Sequence, residues 1–402
     1  MITIKAFRAW RPDASQVERV ACVPYDVVNA EEAREMAKGN PESFLHVVRP
    51  EINLPEPVDE HADEVYATGA EKLREFMDSG ILKQDDEESL FVYRLIWNGR
   101  AQTGLFSCVS VKDYDEDRIL KHELTRPDKE DDRTRHIREQ EAHAEPVMLT
   151  CKGSERINEL FAEVASENPM YNFTANDGVQ HTLWKVEATH PLRDAFANLD
   201  ALYVADGHHR CKSASRLVEY KKEKNPNHDG TEEYNFFPAV IFPKDQMEIL
   251  PYNRVIHKTS KEVFEKLAAD YGLQKTHNPS PQKKGDVCVY YDGVWYGFTL
   301  PQYSQPDSVQ VLDAARLQEF IFAKYFGIED PRTDSNISFV GGIRGTKELQ
   351  RLVDSKKAVM GFSVYPTSIQ ELIDVSDEGK LMPPKSTWFE PKLRSGLLIH
   401  TF

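Results

Sequence analysis

The chain has 402 residues, with 50 Lys plus Arg against 66 Asp plus Glu and a formal net charge of −16. Hydrophobic residues make up 40% and aromatics 10%, enough to bury a core, which excludes wholesale disorder. No apolar run in the sequence approaches the ~20 residues that span a bilayer, and an acidic chain argues against a nucleic-acid binder, whose phosphate contacts need clustered Lys and Arg.

At roughly 150 residues per domain, the length predicts two or three domains or one elaborated α/β domain. Cys22, Cys108, Cys151, Cys211 and Cys288 are scattered and form no CxxC pair. That predicts neither a disulfide framework nor a thiolate zinc site, and points to a reducing cytoplasm. The opening MITIKAFRAW lacks the apolar core of a signal peptide.

In chain order, Ile2 to Phe7 predicts a strand. VPYDVV places Tyr25 and Asp26 in a turn after a proline. Asp26 is a candidate for holding a substrate amino group, with an ordinary turn as the alternative. Asn29 and Glu32 form a capping signal for the helix AEEAREMAK. In SFLHVVRPE, His46 and Arg49 leave a predicted strand, and Arg49 is a candidate for a carboxylate. Apolar residues at helical spacing between Glu56 and Asp78 predict a surface helix. LFVYRLIW and RAQTGLFSCVSV flank Asn98-Gly99, the pair preferred by a type I′ hairpin turn.

KHELTRPDKEDDRTRHIREQEAHAE predicts a helix over about 128–144 with only Ile137 as a large apolar residue. Thr125 and Asp128 form a capping pair, with Pro127 in the first turn. Arg126, Lys129, Arg133 and His136 are spaced to share one face, which would suit a polyphosphate. Glu123, just upstream, is a candidate general base or Mg²⁺ ligand. The alternative is a solvated, salt-bridged helix.

Further helices are predicted over about 154–165, 208–223, 260–271, 311–326 and 345–354. Strands are predicted near 146–150, 181–186, 201–205, 235–242, 336–340 and 357–364. In HTLWKV, His181 alternates with Leu183 and Lys185 and is a candidate substrate contact, as are Asn253 and Arg254 in LPYNRVI. A second hairpin is expected at Asp292-Gly293. SFVGGIRGTKELQRLV lacks the spacing of a phosphate loop and predicts a plain glycine turn. MPPKSTWFEPKLRSGLLIH holds Lys385, Ser386, Thr387 and Lys392, anion-binding types, in a frame stiffened by three prolines.

The most informative stretch is ALYVADGHHRCKSASRLVEY. A compact strand hands over to a helix through Asp206, Gly207, His208, His209 and Arg210. A helix N-terminus offers unpaired N–H groups and partial positive charge, and the two imidazoles and the guanidinium add donors there. The arrangement suits a phosphate or another oxyanion, with Gly207 letting the backbone approach it. A purely structural turn and metal ligation are the alternatives. Adjacent histidines point about 100° apart on a helix and rarely share an ion.

YVADGHHR resembles the signature turn of the ParB/sulfiredoxin-like superfamily, which sets a G-x-H-R-type motif against nucleotide phosphates. Sulfiredoxin has its reactive cysteine where this chain has His208, and the DNA-binding segments of the partition proteins have no counterpart here. The free L-serine kinases are the branch most similar. VPYDVVNAEEAR, NPESFLHVVRPE, KHELTRPDKEDDR, YVADGHHR and MPPKSTWFEPKLRSGL occur in that order. Together they resemble a large prokaryotic family labelled only as a domain of unknown function.

The expected fold is α+β, a mixed sheet with surrounding helices and a ParB/sulfiredoxin-like core around the DGHHR turn. A first region over 1–280 would carry the site, and a second over 281–402 would dock its tail on the body. The expected function is a small-molecule phosphotransferase, a free L-serine kinase using ATP, ADP or pyrophosphate. Mg²⁺ would be held by Glu123 or Asp206. The expected partners are the donor and a hydroxy amino acid, with no nucleic acid and no membrane. The alternative is a nucleotide-binding regulatory or hydrolytic protein of the same superfamily.

Overall fold

In the computed structural model, which describes residues 1–402, nine strands of the N-terminal two thirds build one sheet. They are β1 (Ile4–Lys5), β2 (Ser89–Trp97), β3 (Arg100–Ser110), β4 (Ile119–Leu120), β5 (Val147–Cys151), β6 (Tyr171–Thr174), β7 (Gln180–Glu187), β8 (Leu202–Asp206) and β9 (Phe236–Pro243). Their hydrogen-bonded order is β4-β8-β5-β9-β3-β2-β7-β6, with β1 beside β3. The pairs β8–β4 and β9–β5 are parallel and the others antiparallel, so the sheet is mixed and the fold α+β.

Asn98 and Gly99, at φ +50° and +77°, turn β2 into β3 with Trp97 opposite Arg100. Both positions are left-handed, as a type I′ turn requires. Leu90, Val92, Leu105, Leu149, Val204 and Ile241 are fully buried in the core of this sheet. Each such side chain contributes roughly 1.5–3 kcal/mol relative to exposure.

Three helices of this region matter for the site: α1 (Asp63–Asp78), α2 (Pro127–Gln140) and α3 (His208–Lys224). The polar α2 docks against both of the others. Ile137 meets Leu217 and Tyr234 in a small apolar cluster. The rest of the contact is ionic or aromatic. Arg216 reaches Asp131 at 2.5 Å, and Arg135 lies 4.1 Å from the centre of the Tyr66 ring. The predicted capping pair does not form: Arg126 is the N-cap residue and makes no side-chain cap. The Thr125 hydroxyl instead donates to Glu130, one turn further on. Asn29 and Glu32 do form a full capping box.

The strand expected around His46 is a short helical turn, Leu45–Val48. Pro41 and Pro50 leave room for little more, and the turn buries Leu45 and Val48 on one side.

Met1–Lys121, Thr125–Met247 and Pro391–Phe402 form one compact unit, and His122–Leu124 with Glu248–Glu390 form a second. The second has its own antiparallel sheet of β11 (Asn253–Ile256), β12 (Gln274–Lys275), β13 (Asp286–Tyr291), β14 (Val294–Thr299), β15 (Ile337–Val340) and β16 (Met360–Val364). Its order is β12-β14-β13-β16-β11-β15, and a separate pair joins β10 (Glu248–Leu250) to β17 (Trp388–Glu390). The expected second hairpin turns at Asp292 and Gly293, φ +48° and +77°. The helix expected over 311–326 is helical in three parts, Asp313–Leu317, a π-helical Gln318–Ala323 and Lys324–Phe326. No helix is long and apolar enough to cross a membrane.

Candidate functional site

Strand β8 slips register between Val204 and Asp206 against β5. Such a bulge re-aims the side chain that follows it. Gly207 then takes φ +101° and ψ 31°, and α3 starts at His208 with no acidic residue and no capping side chain in its first turn. A Cβ at position 207 would lie 3.0 Å from Arg210 Nε and 3.2 Å from its Cζ. Glycine is therefore needed twice, for its backbone conformation and for the space that Arg210 fills.

Asp206 Oδ2 accepts from Arg210 at 3.4 Å and from Lys392 at 3.5 Å. Burial pushes this carboxyl up, but Lys392, Arg210 and His208 outweigh it and hold the group at about 2. Asp206 is therefore ionised at neutral pH, and both of these bonds fall on its Oδ2.

Arg210 is buried. Its other terminal nitrogen donates to the Pro146 carbonyl. Burial opposes its charge, yet Asp26, Asp206, Glu145 and Tyr25 together raise its pKa. Glu145 is the hub behind it. Its Oε1 accepts from the Tyr25 backbone N–H at 3.1 Å and from the Ser395 hydroxyl at 2.8 Å. Burial raises the Glu145 carboxyl, and Arg210 and Arg133 offset this only in part, so its pKa stays above the ordinary value. Arg133, also buried, binds Asp132 at 2.7 Å and stacks 3.9 Å from the centre of the Tyr25 ring. Arg133, His136, His143, Glu145 and Arg210 line a cavity of about 30 Å³, room for about one or two waters.

The predicted residues thus separate into groups. Asp26, Asp206, Gly207, Arg210, Arg133 and Lys392 come together in the first unit. Histidine 209 joins them through its Nε2, which accepts the Arg126 backbone N–H at 3.1 Å and so ties the start of α2 to the start of α3. The Arg126 side chain is exposed and paired with Asp128 at 2.8 Å, and Lys129 is half-buried. His136 is buried 4.6 Å from the Tyr66 ring, and burial with Arg133 nearby keeps it neutral.

Other candidates serve the framework. Arg49 pairs with Glu51 at 2.7 Å and Glu60 at 3.4 Å. His181 is fully buried between Tyr93, at 2.7 Å, and Arg394, at 3.2 Å. Its Nε2 accepts from Arg394, so Nδ1 carries the proton; burial, then Arg394, lowers its pKa to about 3.

Glu123, Asn253, Arg254, Lys385, Ser386 and Thr387 belong to the second unit. Glu123 is half-buried beside His122, whose Nε2 lies 3.4 Å from the Thr387 hydroxyl. Asn253 is buried and accepts the Val364 N–H at 3.2 Å. Ser386 donates to the Pro383 carbonyl at 2.6 Å, while Lys385 is exposed.

Glu145, Tyr25 as a stacking ring, and Ser395 were not singled out from the sequence. Glu145 had one visible signal: a lone acid and Pro146 immediately before an apolar strand. The assembled group is an ionised carboxylate, two cations and an uncapped helix start, suited to holding an oxyanion and a small polar molecule.

Among solved structures, the chain is similar to a free serine kinase variant in complex with ADP. The identity is 12% and the TM-score 0.37, over 73% of this chain and 92% of that one. It is also similar to C-terminally truncated SbnI from Staphylococcus aureus, at 15% identity and TM-score 0.39, over 73% and 86%. A conserved hypothetical protein from Pyrococcus furiosus matches at 13% and 0.34, over 71% and 90%. Likenesses of this size say nothing of the reaction. No curated protein matches the sequence. A family model matches residues 4–315, and the chain belongs to that family, described as a protein of unknown function, DUF1015.

Proposed function

We propose that the protein is a small-molecule phosphotransferase whose acceptor is free L-serine. One observation carries the reading: an ionised Asp206, clasped by Lys392 and Arg210, at the uncapped start of α3. The N–H groups of that first turn and the Lys392 ammonium hold the donor phosphate. Arg210 acts behind them, fixing Asp206 and the Gly207 turn rather than reaching out.

A carboxyl at about 2 is a poor proton acceptor at neutral pH. Asp206 therefore serves as an anchor, and its Oδ1 fits a single Mg²⁺ contact. Mg²⁺, when bound, screens phosphate charge and aligns donor and acceptor. Asp26, exposed and acting on Arg210, is the partner we assign to the acceptor's ammonium group. His209 is held by the Arg126 backbone and lines the turn.

The test offers ATP, ADP or pyrophosphate with serine, threonine or homoserine, with and without Mg²⁺, and reads phosphorylated product by mass spectrometry. O-phosphoserine should appear and vanish in K392M and H209A. Tight nucleotide binding with no product from any pair would replace this reading with a regulatory or hydrolytic one.

A further inference from the structure

Five arginines are buried: Arg133, Arg210, Arg254, Arg316 and Arg394. Four have a carboxylate partner, respectively Asp132, Asp206, Asp313 and Asp177. Arg254, on β11 of the second unit, is 4% exposed and has no carboxylate within 4.0 Å. Its two terminal nitrogens donate to backbone carbonyls, those of Tyr252 and, at 3.2 Å, Lys385. Its guanidinium lies 5.5 Å from the centre of the Phe339 ring. Of the five N–H donors a guanidinium carries, these bonds engage two.

A desolvated cation with no counter-ion is unfavourable, and proteins normally supply the acid. Burial accordingly lowers the Arg254 pKa to about 10, and only the Tyr252 phenol opposes it. The turn above adds a second cation. Lys385 takes φ +58°, a left-handed conformation for a side chain with a Cβ. Ser386 to Pro383 at 2.6 Å and Thr367 to Ser386 at 2.9 Å hold that turn. The Lys385 ammonium stands 5.7 Å from the centre of the Tyr252 ring.

We propose that Arg254 is the anchor of an oxyanion site in the second unit, beneath the Lys385 turn, and that the missing counter-ion is the carboxylate or phosphate group of a small molecule. Both groups match the guanidinium fork. The proposal does not depend on the phosphotransferase reading: the protein can fail to make phosphoserine and still bind an anion here.

The experiment titrates inorganic phosphate and, separately, acetate into full-length K392M, in which the first-unit phosphate site is disabled, and into K392M that also carries R254K or R254M. One anion should bind, with affinity falling roughly 30-fold or more in R254M, the scale of losing one side of a buried charge pair. R254K should lie between, because it keeps the charge and loses the fork. The anion that binds tells phosphate from carboxylate. Equal affinity in K392M with and without R254M, or no anion binding, overturns the proposal.

Should both variants fail to fold, phenylglyoxal labelling of the parent chain decides, read at Arg254 by peptide mass spectrometry. The anion should protect that residue, and should do so equally in K392M. Labelling unchanged by anion, or none under any condition, overturns the proposal.

Discussion

The Lys392 ammonium stands 3.5 Å from the Asp206 carboxylate, although 186 positions separate them in sequence. The terminal segment brings it there: His400 and Thr401 pair with His143 and Ala142, and Ser395 bonds Glu145. Replacing Lys392 by Met should cost about 1–2 kcal/mol of stability, the scale of a charged hydrogen bond. Urea unfolding measures this. An unchanged midpoint would show the pair to be decorative.

Asp206 also sets a pH dependence. Its folded pKa of about 2 lies below the ordinary value of 3.8. A depressed carboxyl stabilises the fold above the unfolded pKa, and that contribution fades as pH falls through the folded one. Between about pH 4 and pH 2 the protein should lose about 2 kcal/mol from this group. D206N should show a correspondingly shallower loss in acid unfolding monitored by circular dichroism. Parallel curves for the two proteins would contradict the assignment.

Gly207→Ala should destabilise by about 2 kcal/mol or more, since φ +101° is strained for a residue with a Cβ and the methyl would meet Arg210. Phosphate affinity should fall with it. The comparison is G39A, also at positive φ (+73°) but with nothing within 4 Å of the added carbon. If the two variants unfold alike, the close approach of Arg210 is immaterial.

Glu145→Gln keeps the shape and removes the charge between Arg133 and Arg210. It should cost about 1–3 kcal/mol and weaken phosphate binding, because Arg210 loses a neighbour that steadies it. Calorimetric unfolding and a phosphate titration check both halves.

His181→Ala separates framework from site. The ring fills a sealed position between Tyr93 and Arg394. Its loss should lower stability by about 2 kcal/mol or more while the Michaelis constant for any substrate stays the same. A changed Michaelis constant in folded protein would return His181 to the site.

Much of the secondary structure was legible because its causes are local. Asn98-Gly99 and Asp292-Gly293 fix hairpins through backbone conformation alone, and the Asn29 box caps its helix within four residues. The DGHHR turn was equally readable: Gly207 and the helix start follow from adjacent residues. Arg133 and His136 were readable as sharing a face of α2, but not as buried. An uncharged stripe marks a buried face in sequence, whereas here aromatic stacking and Asp132 do that work.

The sequence by itself determined most of the strands and helices, and the cluster of ionisable groups between β8 and α3, but not the helical turn at Leu45–Val48. Only the tertiary structure decided which charges meet. It chose Glu145 to stand near Arg210, Lys392 to neutralise Asp206, and no acid at all for Arg254. It also returned Pro391–Phe402 to the first unit after the excursion through Glu248–Glu390. The physical reason is range. Periodicity and turn preference act over a few residues, while the partner of a buried charge is whichever group the packed chain carries to within about 4 Å of it.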